Sequence, residues 1–371
     1  MKLQDITETF KEEPNYKIKS IPEDFIVKEI SLEDYSKSQT KQGKFIYCLL
    51  KKKNYNTIDA IKQIASIFNL KEKQVGFAGN KDKNAITEQV ISLPEINLDR
   101  LNKVQIRDIE LKFLARGNES ITLGHLKGNE FIITIRNLDL NDIKYLGKKI
   151  EYQYSNDKKL YTPNYFDDQR FGRKNHEIGR HIVKKEFKEA VAKLDNPLCS
   201  SYLEEKKTDY VGALKRLPLR LLRMYVNAYQ SWLWNETLSL YLKKKTEQFV
   251  EVKYAAGYLV FPDEAIPDLE IPLLGFEDLP KLDKDLTEIL EILKKRENLS
   301  PQDFIIKQIP ELSAEGELRK AFVEVKDFKI RNTEKDDLNQ EKNKVTISFF
   351  LQKGSYATIV IKKIFSEEKM I

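Results

Sequence analysis

Between Gly76 and Gln89 the sequence GFAGNKDKNAITEQ sets one carboxylate, Asp82, between two ammonium groups, Lys81 and Lys83. Gly79, Asn80 and Asn84 make the stretch turn-forming, and Ala85 to Leu93 reads as a strand leading out of it. An aspartate held beside fixed positive charge stays ionised and points where the backbone aims it. Such a group suits a nucleophile that needs neither a metal nor a base to activate it. NKD is also half of a GTPase base-recognition pattern, but the chain has no GxxxxGK[S/T] phosphate loop, which argues against a nucleotide hydrolase. By residue type alone the segment reads as an ordinary surface turn.

A second group pairs rings with polar neighbours. Phe25 follows Pro22-Glu23-Asp24, Phe131 follows Gly128-Asn129-Glu130, and Tyr356 sits in Lys353-Gly354-Ser355-Tyr356-Ala357-Thr358. A ring in a cleft can stack on an extruded base, worth about 1–3 kcal/mol per base. An amide such as Asn129 can read the Watson–Crick edge of that base. Taken singly, each ring reads as core. NYFDDQRFG, Asn164 to Gly172, offers Arg170 to a phosphate or to Asp82, while Tyr165, Phe166 and Phe171 read as a pinned domain junction. In NAYQSWLWN, Asn227 to Asn235, Tyr225, Tyr229 and Leu233 share one helical face, the pattern of core packing.

These residues have to be positioned by a chain of 371 residues, long enough for two domains, with 41% hydrophobic and 33% charged residues and a formal net charge of +6. Charge is distributed unevenly. Lys41 to Lys53 holds five lysines and no acid, and Val211 to Asn235 holds Lys215, Arg216, Arg220 and Arg223, again with no acid. A phosphate backbone selects such stretches, and a solvated face balanced elsewhere produces them too. The two cysteines, Cys48 and Cys199, lie far apart, and the three histidines show no ligand spacing, so neither a disulfide framework nor a metal site is expected. The polar N-terminus and the lack of a long apolar run predict a soluble, cytoplasmic protein without a membrane segment.

Residues 57–70 read as an amphipathic helix with Thr57 as N-cap and Ile61, Ile64, Ala65 and Phe68 on one face. Phe131, Ile133 and Ile135 alternate as a strand after a Gly-bounded turn, and a helix is expected from Asp142 to Tyr154. Leu214 to Leu240 is helical in pattern but interrupted by Pro218. Lys344 to Leu351 is a strand, and residues 331–343 read as an exposed loop. A β-rich start, a helical middle and a β-rich end suggest one domain interrupted by another, with three consecutive small domains as the alternative.

Six strings then resemble the TruD family of RNA pseudouridine synthases, in the family's order and over nearly the whole chain. They are PEDFIVKEI from Pro22, FAGNKDKNAITEQ from Phe77, GHLKGNEF from Gly124, PNYFDDQRFG from Pro163, YQSWLWNE from Tyr229 and KGSYATIVIKKIF from Lys353. The resemblance reverses the surface-turn reading of Asp82. It implies an α/β fold of α+β type, with a mixed or antiparallel sheet in a catalytic domain at 1–166 and 320–371. A helix-rich TRUD domain is inserted at 167–319. It further implies isomerisation of uridine to pseudouridine in RNA, typically at position 13 of transfer RNA, with Asp82 as the catalytic carboxylate. Phe25, Asn129 and Tyr356 map to base-contacting positions, and Phe131 to the ring packed beside the target base. Lys81 and Arg170 are expected on the substrate side. Asp82 would attack C1′ or take a neighbouring ribose proton, and freed uracil would rejoin through C5. No redox step, group donor or energy source enters, so no cofactor and no metal is expected, and no obligatory protein partner. A non-catalytic RNA-binding or RNA-folding protein is the rival reading, separated by product formation. A synthase acting on another transfer RNA position or another RNA is a further alternative.

Overall fold

The computed structural model describes residues 10–11, 15–35, 42–155 and 159–366. The chain forms two compact units, one of Asn15–Leu160 with Glu324–Ala357, the other of Tyr161–Val323 with the chain from Thr358 onward. The fold is α+β, with eleven α-helices among the described residues.

The first unit is built on an eight-stranded mixed sheet. Its main path runs Lys326–Lys335, Asn343–Gln352, Leu126–Leu138, Phe25–Ser31, Ile86–Pro94, Phe45–Lys53 and Ile109–Gly117, and the short strand Gly76–Phe77 pairs with Ile86–Pro94 off that path. Neighbours pair antiparallel except Phe25–Ser31 with Ile86–Pro94, which is parallel. Successive side chains alternate between faces, so the register assigns each residue to one side. Val27 lies opposite Phe131 and Thr87, Glu29 opposite Asn129, Phe349 opposite Phe131, and Lys52 opposite Thr87. One inner face therefore carries Phe349, Phe131, Asn129, Phe25, Val27, Glu29, Thr87, Gln89 and Lys52.

Apolar side chains cover much of that face. The helix Thr57–Phe68 lays Ala60, Ile61, Ile64, Ala65 and Phe68 against Ile46, Cys48, Leu50, Ile91 and Leu93. Its N-cap is Asn56, whose side chain accepts the Asp59 N–H, so the cap lies one residue earlier than expected and frees the Thr57 hydroxyl. The expected helix over 142–154 runs Leu140–Ser155, and the expected strand over 344–351 runs Asn343–Gln352. Residues 331–335 are strand rather than loop: they complete Lys326–Lys335, an edge strand exposed on both faces over most of its length, which removes the apolar alternation that marks a strand. Gly128 lies inside a strand and not in a turn, and glycine is needed there because a Cβ would sit 2.1 Å from the Leu351 carbonyl oxygen.

Arg136 pins the entry to the Phe25 strand. Its guanidinium is buried and donates to Asp24, Asp336 and Asp337 at 2.8–2.9 Å. Lys17 and Arg136 also exchange backbone hydrogen bonds at 3.0 and 2.8 Å, fixing the segment that carries Lys19.

In the second unit the helix Leu219–Lys245 starts directly after Pro218, which acts as its N-cap position rather than breaking it. Tyr225, Tyr229 and Leu233 are buried, as their spacing required. Asn235 accepts the Phe166 N–H at 3.0 Å and donates to the Phe166 carbonyl at 2.9 Å, so the YQSWLWNE and NYFDDQRFG strings are stitched together. Asp167 accepts from Thr358 and Lys362. No helix among the described residues is long and apolar enough to cross a membrane.

Candidate active site

The stretch from Ala78 to Ala85 has no helix or strand of its own, so its backbone groups must be satisfied by side chains or by distant backbone. The Ala78 carbonyl accepts from the Gly124 N–H at 2.7 Å, and the Gly79 carbonyl from Gln89 Nε2 at 3.0 Å. The Lys81 N–H donates to Thr57 Oγ1 at 2.8 Å, and that hydroxyl donates to Gln89 Oε1 at 3.0 Å. The Asp82 carbonyl accepts from Lys52 Nζ at 2.9 Å. Thr57 and Lys52 are each 1% exposed and Gln89 is fully buried. Gly76 is required by close approach, since a Cβ there would lie 2.4 Å from the Ile121 carbonyl oxygen. Three buried polar side chains thus clamp the turn and fix the direction in which Asp82 leaves it.

The charges sort differently from their order in sequence. Lys81 turns inward, and its ammonium closes on Glu29, with side chains 5% and 1% exposed. The charge beside the Asp82 carboxylate is Lys19, at 2.7 Å, and the Asp82 side chain remains 28% exposed. Lys19 adopts the left-handed backbone region, φ +58°, and its Nζ lies 4.1 Å over the Phe25 ring. Burial pulls the Lys52 ammonium down to about 8 against the attraction of Asp82, with Lys81 adding to the fall.

The rings form a cluster beside this charge. Phe25 meets Phe131 edge-on with centroids 6.1 Å apart, and Phe131 meets Phe349 at 5.7 Å. Phe25 and Phe131 are both buried. Asn129 lies on the same face, across from Glu29, and its buried Oδ1 has no hydrogen-bond partner among the described residues. Tyr356 is half-buried and lies four residues beyond the strand that pairs with Asn129. Asp82, Lys81, Phe25, Phe131 and Asn129 are thus linked through Lys19 and Glu29. Arg170 belongs to the second unit, where its guanidinium lies 5.4 Å from the Phe166 ring centroid and its buried Nε has no hydrogen-bond partner among the described residues. The ion-pair partner of Asp82 is Lys19.

Five residues of this arrangement escaped the sequence reading: Lys19, Glu29, Lys52, Thr57 as a hydroxyl, and Gln89. A signal existed for one. In FIYCLLKKK the inward positions Ile46, Cys48 and Leu50 continue to Lys52, so period two places a lysine inside. The same stretch is no free basic face, since Lys51 and Lys53 face Glu88 and Glu23.

Comparison with known proteins agrees with this geometry. The family model described as tRNA pseudouridine synthase D (TruD) matches residues 9–199 and 197–364. A tRNA pseudouridine synthase D from Aquifex aeolicus is 31% identical over 95% of this chain and 98% of its own length. A Methanocaldococcus jannaschii protein carrying the same family name is 31% identical, over 94% and 91%. A crystal structure from Methanosarcina mazei, also named for this family, superposes with a TM-score of 0.69 at 25% identity, covering 96% of this chain and 95% of that one. This chain belongs to the TruD family, the tRNA pseudouridine synthase D enzymes, and is an isomerase.

Proposed function

We propose that the protein converts uridine to pseudouridine at position 13 of transfer RNA, in the cytoplasm, with the Asp82 carboxylate acting on the ribose. The observation that carries this reading is the aim of that carboxylate. The turn that carries it is clamped by Thr57 at the Lys81 N–H, Gln89 at the Gly79 carbonyl and Lys52 at the Asp82 carbonyl, and Lys19 holds its charge at 2.7 Å beside the Phe25 ring.

A stacked base cannot be reached, so the target nucleotide is extruded first, at about a few kcal/mol. Phe131 and Tyr356 offset the lost stacking, and Asn129 Oδ1, an acceptor with no protein donor on it among the described residues, receives the imide N–H of uracil. Asp82 then attacks C1′ or takes a neighbouring ribose proton. Either route breaks the glycosidic bond through a state with positive charge on the sugar, which a carboxylate stabilises. Uracil turns in place and rejoins through C5, and C5 loses its hydrogen as a proton. The C5 proton passes to water and N1, freed from C1′, takes up a proton, so atoms and electrons balance and the reaction calls for no cofactor. Lys81, closed on Glu29, contributes by holding the turn, and Arg170 is assigned to phosphate. The unit carrying the eight-stranded sheet is taken as catalytic, and residues 167–319 as the insertion that helps choose the RNA.

The test uses a transfer RNA transcript containing 5-tritiated uridine. Release of one tritium per molecule is expected, and replacement of uridine 13 by cytidine abolishes it. Full release from the cytidine transcript refutes the position, and no release from either refutes the activity.

A further inference from the structure

Lys52 is the one residue of the clamp that carries charge into the interior. It occupies the last inward position of the strand Phe45–Lys53, after Ile46, Cys48 and Leu50, and is 1% exposed. Its ammonium donates to two backbone carbonyls, those of Tyr55 and Asp82. Tyr55 lies in the link between this strand and the helix Thr57–Phe68, and Asp82 in the clamped turn, so one nitrogen ties together two segments without regular structure. An apolar side chain would fill this position at less electrostatic expense. What the lysine adds is a grip on the Asp82 main chain and a positive charge that the Asp82 carboxylate attracts.

We propose that Lys52 is a positioning residue for the isomerisation: it fixes the Asp82 backbone, hence the line along which the carboxylate meets the ribose, and it must be protonated to do so. The proposal rests on the reading of Asp82 as the group that acts on the sugar. The attraction of Asp82 favours the ammonium form of Lys52 and works against the burial that disfavours it. Among the described residues, Lys81, the other charge acting on Lys52, is closed on Glu29, and Lys19 is closed on the Asp82 carboxylate. The residues facing Lys52 across the flanking strands, Thr87 and Ile109, are uncharged, as is Thr57 at the start of the helix. Lys52 is therefore the group whose burial sets its proton loss just above neutrality, near pH 8. The protonated form is the active one, so the rate holds below that pH and declines above it.

The experiment is single-turnover tritium release between about pH 6.5 and 9.5, for wild type, Lys52→Met, Lys52→Gln and Asp82→Asn, with RNA affinity from filter binding. Both Lys52 variants are expected to lose about 10- to 100-fold in rate, with affinity held within about twofold, and the alkaline decline of the wild type is absent from both. A residue that only supported the fold would lower thermal stability and leave the rate and its pH profile alone. A folded Lys52→Met that keeps the wild-type rate, or keeps the same alkaline decline, overturns the proposal. Should Lys52→Met not fold, Lys52→Gln and the wild-type profile decide, and a wild-type rate that stays level through about pH 9 overturns it equally. Loss of activity in Asp82→Asn beside normal activity in the Lys52 variants removes this proposal alone. Retained activity in Asp82→Asn removes the reading of Asp82 and this proposal with it.

Discussion

Thr57→Val tests the clamp with the smallest change available. Valine keeps the branched shape of threonine at a helix position that is 1% exposed, and removes one oxygen. That oxygen accepts the Lys81 N–H at 2.8 Å and donates to Gln89 Oε1 at 3.0 Å. Its loss leaves a buried donor and a buried acceptor unpaired, each worth about 1–3 kcal/mol. Gln89 keeps its bond to the Gly79 carbonyl, so only part of the network fails. The Asp82 side chain is 28% exposed, so the turn can shift outward and let water reach the Lys81 N–H. Relaxation of that kind holds the stability loss near the low end, about 2 kcal/mol, and transfers the rest into displacement of the carboxylate. A displacement of about 1 Å lowers a rate on the order of 100-fold. The expected result is therefore a single-turnover rate reduced about 30- to 100-fold with RNA affinity unchanged. Thr57→Ser, which keeps the hydroxyl, should stay near wild type. Urea denaturation and tritium release read the two quantities. Equal rates and equal stabilities for the valine and serine variants would mean that the Thr57 hydroxyl neither holds the turn nor aims Asp82.

Glu29→Gln leaves the Lys81 ammonium buried without its counter-charge, and should lower stability by about 3–5 kcal/mol in urea denaturation; a loss below about 1 kcal/mol would contradict the pairing. Burial pushes the Asp336 carboxyl up, but hydrogen bonds from the Asn137 and Leu338 N–H groups, Asn339 and Arg136 outweigh it and hold the carboxyl at about 2, against an ordinary 3.8. A depressed carboxyl stabilises the fold above its unfolded value, so up to roughly 2 kcal/mol is present above about pH 4 and lost as pH falls towards 2. Acid denaturation of Asp336→Asn should lack that component. Lys215, Arg216, Arg220 and Arg223 are exposed in the second unit. If they meet the RNA backbone, neutralising Lys215 and Arg220 lowers the slope of log affinity against log salt by about 1 for each phosphate left without its cation, and leaves the single-turnover rate unchanged.

Local pattern carried the reading of this chain as far as local physics determines structure. The helix Thr57–Phe68 and the strand Asn343–Gln352 were legible because each buries one face, which forces the apolar residues into a period. The edge strand Lys326–Lys335 was not, since most of it is exposed on both faces and its composition is that of a loop. Asp82 drew attention through its own neighbours, and those neighbours proved misleading about its electrostatics. Lys81 is adjacent in sequence, yet a turn of the backbone sends it to Glu29, while Lys19, 63 residues away, supplies the charge at the carboxylate. Gln89, Thr57 and Lys52 reach one turn from two strands and a helix, and strand register decides that convergence. A run of three lysines disguised the inward one.

In the proposed reaction one carboxylate, Asp82, performs the chemistry, the buried clamp aims it, and other groups of the site hold the RNA. Asp82→Asn preserves the size of the side chain and removes its charge. Tritium release and filter binding measured side by side on the same transfer RNA transcript separate the two functions. No detectable release is expected, together with RNA affinity close to that of the wild type. Sustained release by the asparagine protein would mean that a group other than the Asp82 carboxylate performs the chemistry.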